Sequence, residues 1–326
     1  MTVSLTDFEK RLCNRLQRGL PLVSQPFAEI AADLGCTEAE VLEQAQQLKA
    51  SGVLRRICAV LNQRALGMAS TLVTAHVPDE QIRPVTAAVN ALSGVSHNYL
   101  RNHRFNLWFT LQAQSPEQLR LSLVELQGRF DIAFHSLPVT RVFKLDVRFD
   151  AESDDSVLLR DVERTPGTEP VTLRDEHKHL LTGLRDGLEI VSRPFATVRP
   201  AGMAEPEMFA LLAELIEAGV IRRIAGVLNH HKLGFTANVM FAAQVDPERI
   251  VEAGRRLAHS GAVSHCYERQ VFAGWPYNLF AMMHGRTMAQ IQHTIDRFTE
   301  AHPVRSFELL PTLAELKKQP VRHSFA

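Results

Sequence analysis

The sequence predicts an α+β fold of two tandem units, each a helix-turn-helix followed by a ferredoxin-like β-α-β-β-α-β sheet. Three observations predict it: the chain repeats itself, the hydrophobic period changes inside each repeat, and an acidic, Pro/Gly-rich stretch divides the repeats. VLRRICAVLN at Val53–Asn62 recurs as VIRRIAGVLN at Val220–Asn229, and both run on to a Leu-Gly pair, Leu66-Gly67 and Leu233-Gly234. VSQPF at Val23–Phe27 recurs as VSRPF at Val191–Phe195. VSHNY at Val95–Tyr99 recurs as VSHCY at Val263–Tyr267, each with an Arg two residues later, Arg101 and Arg269. The offset drifts only from 167 to 172 residues, which marks a tandem duplication.

Each element follows from local pattern. Phe8, Leu12 and Leu16 recur every four residues, which suits an amphipathic helix ended at Gly19-Leu20-Pro21. Phe27, Ile30, Ala31 and Leu34 make a short second helix that stops at Gly35. Thr37, with Glu40 three residues on, forms a capping box for a third helix through Val41, Leu42, Ala45 and Leu48 to Gly52. The period then changes. Residues 53–61, 69–77, 94–99, 106–113 and 133–147 read as strands, with helices over 79–92 and 116–130. The second unit repeats the order, with strands near 221–228, 236–245, 262–269, 277–284 and 304–310 and helices near 247–259 and 287–301. The expected division is a helix-turn-helix over 1–52, a sheet domain over 53–150, a linker over 151–171, a second helix-turn-helix over 172–219 and a second sheet domain over 220–326.

Composition bounds the function. Lys plus Arg equals Asp plus Glu at 36 each across 326 residues, which argues against bulk attraction to a polyanion and leaves room for a local basic pocket. No run of 18 apolar residues predicts a membrane span, and the start of the chain lacks the order of a signal peptide. Cys13, Cys36, Cys58 and Cys266 lie far apart and form no C-x-x-C pair, so neither a disulfide framework nor a zinc knuckle is expected. A cytoplasmic protein is the expectation. A DNA reader needs basic residues on its recognition helix. The third helix carries Glu38, Glu40 and Glu43 against Lys49, and its counterpart over 204–218 has four Glu and no basic residue, so no DNA partner is expected.

The basic and imidazole side chains collect elsewhere. Arg55-Arg56 and Arg222-Arg223 begin the first strand of each unit, and strand alternation sends only one of each pair to a given face. His265, Tyr267 and Arg269 alternate along one strand and share a face, as do His97, Tyr99 and Arg101. Such a face is costly to bury without a ligand. The strand bearing Asn278 and His284 lies beside the first of these. All three tyrosines, Tyr99, Tyr267 and Tyr277, fall in these segments, with Trp275, Trp108 and Phe105 as walls or ordinary core. His231 follows Asn229, where the first unit has Arg64, and His230 reads as a surface residue.

A winged helix-turn-helix followed by β-α-β-β-α-β resembles the Lrp/AsnC family of regulators. The segments RRIAGVLNHHKLG at 222–234, VSHCYER at 263–269 and WPYNL at 275–279 resemble more closely the siroheme decarboxylases, Lrp-like proteins turned into enzymes. A fused pair of unlike units is similar to the form that serves haem d1 biosynthesis. That resemblance implies siroheme as substrate, a flat macrocycle with eight carboxylates, two of whose acetates become methyls. No cofactor or metal of the protein's own is implied, since the siroheme iron belongs to the substrate. His265 is then the first choice of proton donor, Tyr267 the second, with Arg269 beside them. Arg222, Arg223, His231, Tyr277, Asn278, His284, Arg55, Arg56, His97, Tyr99 and Arg101 would bind substrate, with Arg meeting carboxylates. Similar Lrp-like subunits or a second copy are the implied partners. A transcription regulator with a small-molecule or tetrapyrrole effector, and a haem carrier, stay open as alternatives. The richer imidazole content of the second unit predicts the main site over 220–284.

Overall fold

The computed structural model describes residues 3–145, 148–152 and 170–319, so most of the expected linker lies outside the described residues. The first unit opens with α1 (Asp7–Arg18), α2 (Pro26–Leu34) and α3 (Glu38–Ala50). Thr6 with Glu9 and Thr37 with Glu40 form reciprocal capping boxes that start α1 and α3. Gly35 ends α2 at φ 71°, a left-handed conformation that favours glycine. The second unit replies with α6 (Asp175–Asp186) and α7 (Glu205–Glu217), but between them stands only a four-residue 3-10 turn, Pro194–Thr197. The expected second helix-turn-helix is thus incomplete. β-branched Thr197 and Val198, followed by Pro200 and Gly202, stop helix growth after one turn.

The two units are interleaved. β1 (Leu54–Leu61) and β6 (Ile221–Leu228) pair antiparallel in a ribbon of their own, with Cys58 opposite Ala225. The sequence places these strands with the sheet domains; instead each leaves its sheet for its counterpart. α1 lies on β6, anchored by Leu20 N–H donating to Ile224 O, and α6 lies on β1, anchored by Leu188 N–H donating to Ile57 O, both at 2.7 Å. One core, including Leu12, Leu16, Ile30, Leu48, Ile57, Leu180, Leu184, Leu212 and Ile224, joins both helical units.

The remaining strands close into a barrel. The first unit supplies β2 (Ala69–Ala75), β3 (Val95–Arg101), β4 (Leu107–Ala113) and β5 (Phe134–Leu145); the second supplies β7 (Ala237–Gln244), β8 (Val263–Arg269), β9 (Leu279–Gly285) and β10 (Ser306–Lys318). The order is β10-β3-β4-β2-β5-β8-β9-β7, closed, so β5–β8 and β10–β3 are the two seams between units. α4 (Ile82–Ala91) and α5 (Pro116–Phe130) cover the first half, and α8 (Ile250–Ala258) and α9 (Met288–Ala301) the second, each pair over a separate apolar core. Closure removes the unpaired edges that an open sheet would expose. Lysines fasten the seams. Lys144 Nζ donates to Ser260 O beyond the end of α8 (3.3 Å), and Lys317 Nζ to Asn90 O and Leu92 O at the end of α4 (2.7 and 3.3 Å). A cation there favours the negative end of each helix dipole. No helix of the described residues is long and apolar enough to cross a membrane.

Candidate active site

β3 and β8 stand four strands apart in either direction, on opposite walls of the barrel. A β-bulge follows Val95 in one and Val263 in the other. Each bulge leaves the valine on the helix side and turns the next alternate set, His97, Tyr99, Arg101 and His265, Tyr267, Arg269, to the lumen. Asn98 and Cys266 face the other way, to α4 and α8. Toward the loop ends of these strands the lumen is filled by Trp108, Trp275, Phe105, Phe280, Leu137 and Leu310. The two indoles meet edge-on with centroids 5.1 Å apart. At the other end a charge on His97 acts on His265, with Arg222 of the β1–β6 ribbon beside it.

The ribbon arginines divide at two register irregularities, which leave Arg55 and Arg222 as the unpaired extra residues of their strands. Arg55 acts on His97, Tyr99, His230 and His231, and Arg222 on His265 and Tyr267. Arg56 and Arg223 turn toward Cys58 on the far side. Each loop after the ribbon crosses to the other unit: Arg64 reaches Tyr267 and Arg269, while His231 shares Arg55, Glu315 and Lys318 with His97. The site is therefore composite. It holds the imidazoles of His97, His230, His231, His265 and His284 among Arg55, Arg222 and Lys318, with Glu315 at the side.

Burial and mutual repulsion govern the protonation of this group. Desolvation, reinforced by Lys318, holds His97 at about 4; desolvation, reinforced by His97 and Arg269, holds His265 at about 4. Burial and the neighbouring imidazoles hold His284 at about 3 and His230 at about 2. Burial pushes the Tyr99 and Tyr267 hydroxyls up to about 12. The mouth thus keeps its imidazoles neutral among fixed cations, and an anionic ligand would raise their proton affinity.

Several residues that the sequence marks for the site fall outside this cluster. Tyr277 donates to Glu308 Oε1 at 3.2 Å and packs on Trp275 at the filled end. Asn278 is spent on the backbone of Val245, accepting from its N–H (2.9 Å) and donating to its carbonyl (2.8 Å), as Asn106 does with Val77. Arg101 and Arg269 reach main-chain carbonyls across the seams and lie over Tyr99 and Tyr267, at 5.3 and 4.9 Å. His284 stays within the cluster, behind His265 and joined to it through Ser264. His230, expected at the surface, is buried, stacked on Phe149 at 5.1 Å. Phe149 is held there by a two-way bond between its backbone and the Gln17 amide, both 2.8 Å. Sequence reasoning misses Phe149, Lys318, Glu315 and Ser264. Of these only Ser264 leaves a signal, as the Ser repeated before His in both units.

The AsnC-like ligand binding domain family matches residues 65–144 and 232–317, and the siroheme decarboxylase NirDL-like HTH domain matches 9–55. The siroheme decarboxylase of Hydrogenobacter thermophilus is 35% identical over 97% of this chain and 95% of its own length. This chain belongs to the siroheme decarboxylase family. The siroheme decarboxylase NirDL subunit of Paracoccus denitrificans is 33% identical over 90% of this chain and 89% of its own. A crystal structure of the siroheme decarboxylase NirDL superposes with a TM-score of 0.73 at 30% identity, covering 98% of this chain and 95% of that one. A second structure of that family member, in co-complex with an iron-uroporphyrin III analogue, gives 0.72. The family assignment agrees with the fold: an AsnC-like ligand domain twice over, with one full helix-turn-helix at the start.

Proposed function

We propose that this chain decarboxylates siroheme, converting two acetate side chains to methyls to give didecarboxysiroheme on the route to haem d1. The observation that carries the reading is the composite mouth, where His265 and His97, on opposite walls, both turn to the lumen among Arg55, Arg222 and Lys318. Polycarboxylate recognition needs such cations, and Arg offers the planar fork that fits a carboxylate. Each step breaks one C–C bond. Carbon dioxide leaves, its bonding electrons pass into the macrocycle, and one proton is added at the methylene carbon to make the methyl. Arg55, Arg222 and Arg64 hold the carboxylates that stay. His265, whose Nδ1 is bonded to Ser264, offers Nε2 as proton donor, with the Tyr267 hydroxyl beside it, ring centroids 6.0 Å apart. Bound carboxylates favour the imidazolium, so the substrate helps to charge its own acid.

The iron travels with the substrate, and no further cofactor enters the proposed reaction. A cytoplasmic location is part of the same reading, as is association with a second copy or with similar Lrp-like subunits, which light scattering would measure. Anaerobic incubation with siroheme and mass analysis of the product tests the reaction. Loss of two carbon dioxide units supports it. A shifted absorption spectrum with unchanged mass would make the chain a carrier, and tight, salt-sensitive binding to its own upstream DNA would make it a regulator.

A further inference from the structure

Ser264 is fully buried, and its hydroxyl stands between two imidazoles. It lies 2.9 Å from Nδ1 of His265 and 3.0 Å from Nε2 of His284. A hydroxyl donates one hydrogen bond while accepting another, so this row passes a proton without moving a heavy atom. The first unit breaks the row. Ser96 is 2.8 Å from Nδ1 of His97, but its other neighbour is the Thr110 hydroxyl at 2.7 Å, and Gln112 takes the place of His284. Neither a hydroxyl nor an amide accepts a proton from water near neutrality. The His284 ring is buried against Phe149 and His230, at the end of the row away from His265. Its Nδ1 is buried and has no hydrogen-bond partner among the described residues.

We propose that Ser264 and His284 are positioning residues that resupply the proton His265 gives to the substrate. The inference rests on the reading of His265 as donor. His265 loses the proton on Nε2 to the methylene carbon as carbon dioxide departs. Its Nδ1 takes the Ser264 proton, and Ser264 takes the Nε2 proton of His284, which the bound carboxylates have brought to imidazolium and which leaves neutral. To reset, Nε2 of His265 takes a proton from solvent and its Nδ1 proton returns through Ser264 to His284, so each decarboxylation consumes one proton from solvent. The groups facing His265 are His97 on β3, Arg269 on β8, Lys144 on β5 and Arg222 on β6. Those facing His284 are His265, Lys318 on β10, and His230 and His231 after β6, with Phe149 packed edge-on.

The test uses the full chain with siroheme under anaerobic conditions and compares His284→Gln, which copies Gln112, with Ser264→Ala and Ser264→Thr. Removing the relay lowers kcat by about 10²-fold, as loss of a proton-transfer group does, and leaves KM within about twofold. The solvent deuterium effect on kcat rises in His284→Gln, and the pH at which kcat falls off moves with it. Ser264→Thr keeps the hydroxyl and restores turnover. Wild-type kcat and pH profile in His284→Gln, with His265→Ala inactive, overturn the relay and leave the donor in place. An active His265→Ala overturns the donor assignment itself. Should Ser264→Ala fail to fold, His284→Gln decides alone.

Discussion

Arg101 and Arg269 hold equivalent places on opposite walls of the barrel, and each gives its guanidinium to a main-chain carbonyl of the other unit. Arg101 Nη1 donates to Leu310 O, and Arg269 Nη1 donates to Leu137 O at 2.7 Å. Burial lowers both guanidinium groups to about 10, leaving them charged at neutral pH. The two arginines therefore act as seam clamps and as platforms for Tyr99 and Tyr267. Charged hydrogen bonds of this kind contribute about 1.5–3 kcal/mol. Arg101→Leu is expected to lower stability by about that amount, read as a shift in denaturant midpoint. Retention of the wild-type midpoint would remove the clamp role.

The seam is also tight at Gly254. A Cβ built there would sit 2.3 Å from the Phe143 ring, which crosses from β5 onto α8. In an exposed helix Gly→Ala gains about 1 kcal/mol. Here overpacking, at about 1–3 kcal/mol, wins, so Gly254→Ala destabilises the protein. In a Phe143→Ala background the same change becomes neutral or stabilising. Thermal melts of the two singles and the double variant close the cycle; additive losses would show that ring and helix do not meet.

Local pattern exposes the repeat, the elements and which residues share a face. The bulges that turn His97 and His265 to the lumen preserve the alternation read from VSHNYLR and VSHCYER. Alternation predicts that Arg55 parts from Arg56 and Arg222 from Arg223, but the parting is made by bulges at Arg55 and Arg222, which a period of two does not reveal. A period of two gives faces, not neighbours, so nothing local says that β1 pairs with β6 or that β5 meets β8. For the same reason the sequence groups His231 with its own unit, although it lies by Arg55. Asn278 reads as a binding residue because it recurs in both units, yet the repeat reflects a turn that each unit needs, held here by the Val245 backbone. His230 reads as polar surface because its burial on Phe149 depends on Gln17, more than a hundred residues away.

The neutral imidazoles make stability depend on pH. Burial holds His97 and His265 at about 4, below the ordinary 6.5 of the unfolded chain. Between these values the unfolded chain binds more protons, so stability is full above about 6.5 and is lost as pH falls toward about 4. Melting temperature measured from pH 7.5 to 5 should therefore drop. A bound polycarboxylate tetrapyrrole raises these values and flattens the drop, and its binding takes up protons, visible as a calorimetric enthalpy that varies with buffer ionisation heat. A melting temperature independent of pH over this interval would mean that the imidazoles are already satisfied by other partners.

The two histidines should differ in consequence. Both sit on a serine, at 2.8 Å for His97 and 2.9 Å for His265, and both face the lumen beside a tyrosine. Only His265 connects through its serine to a second imidazole, His284. His97 shares its surroundings with Arg55, Lys318 and Glu315, which suits holding a carboxylate rather than replenishing a proton. His265→Ala is expected to lose about 10²–10⁴-fold in rate with KM little changed. His97→Ala is expected to raise KM with a smaller effect on kcat. Both variants are compared by circular dichroism first, then by product mass at each time point. Accumulation of a singly decarboxylated product in one variant alone would assign one acetate to each wall of the barrel. Loss of all turnover in His97→Ala, with His265→Ala active, would move the chemistry to the first unit's wall.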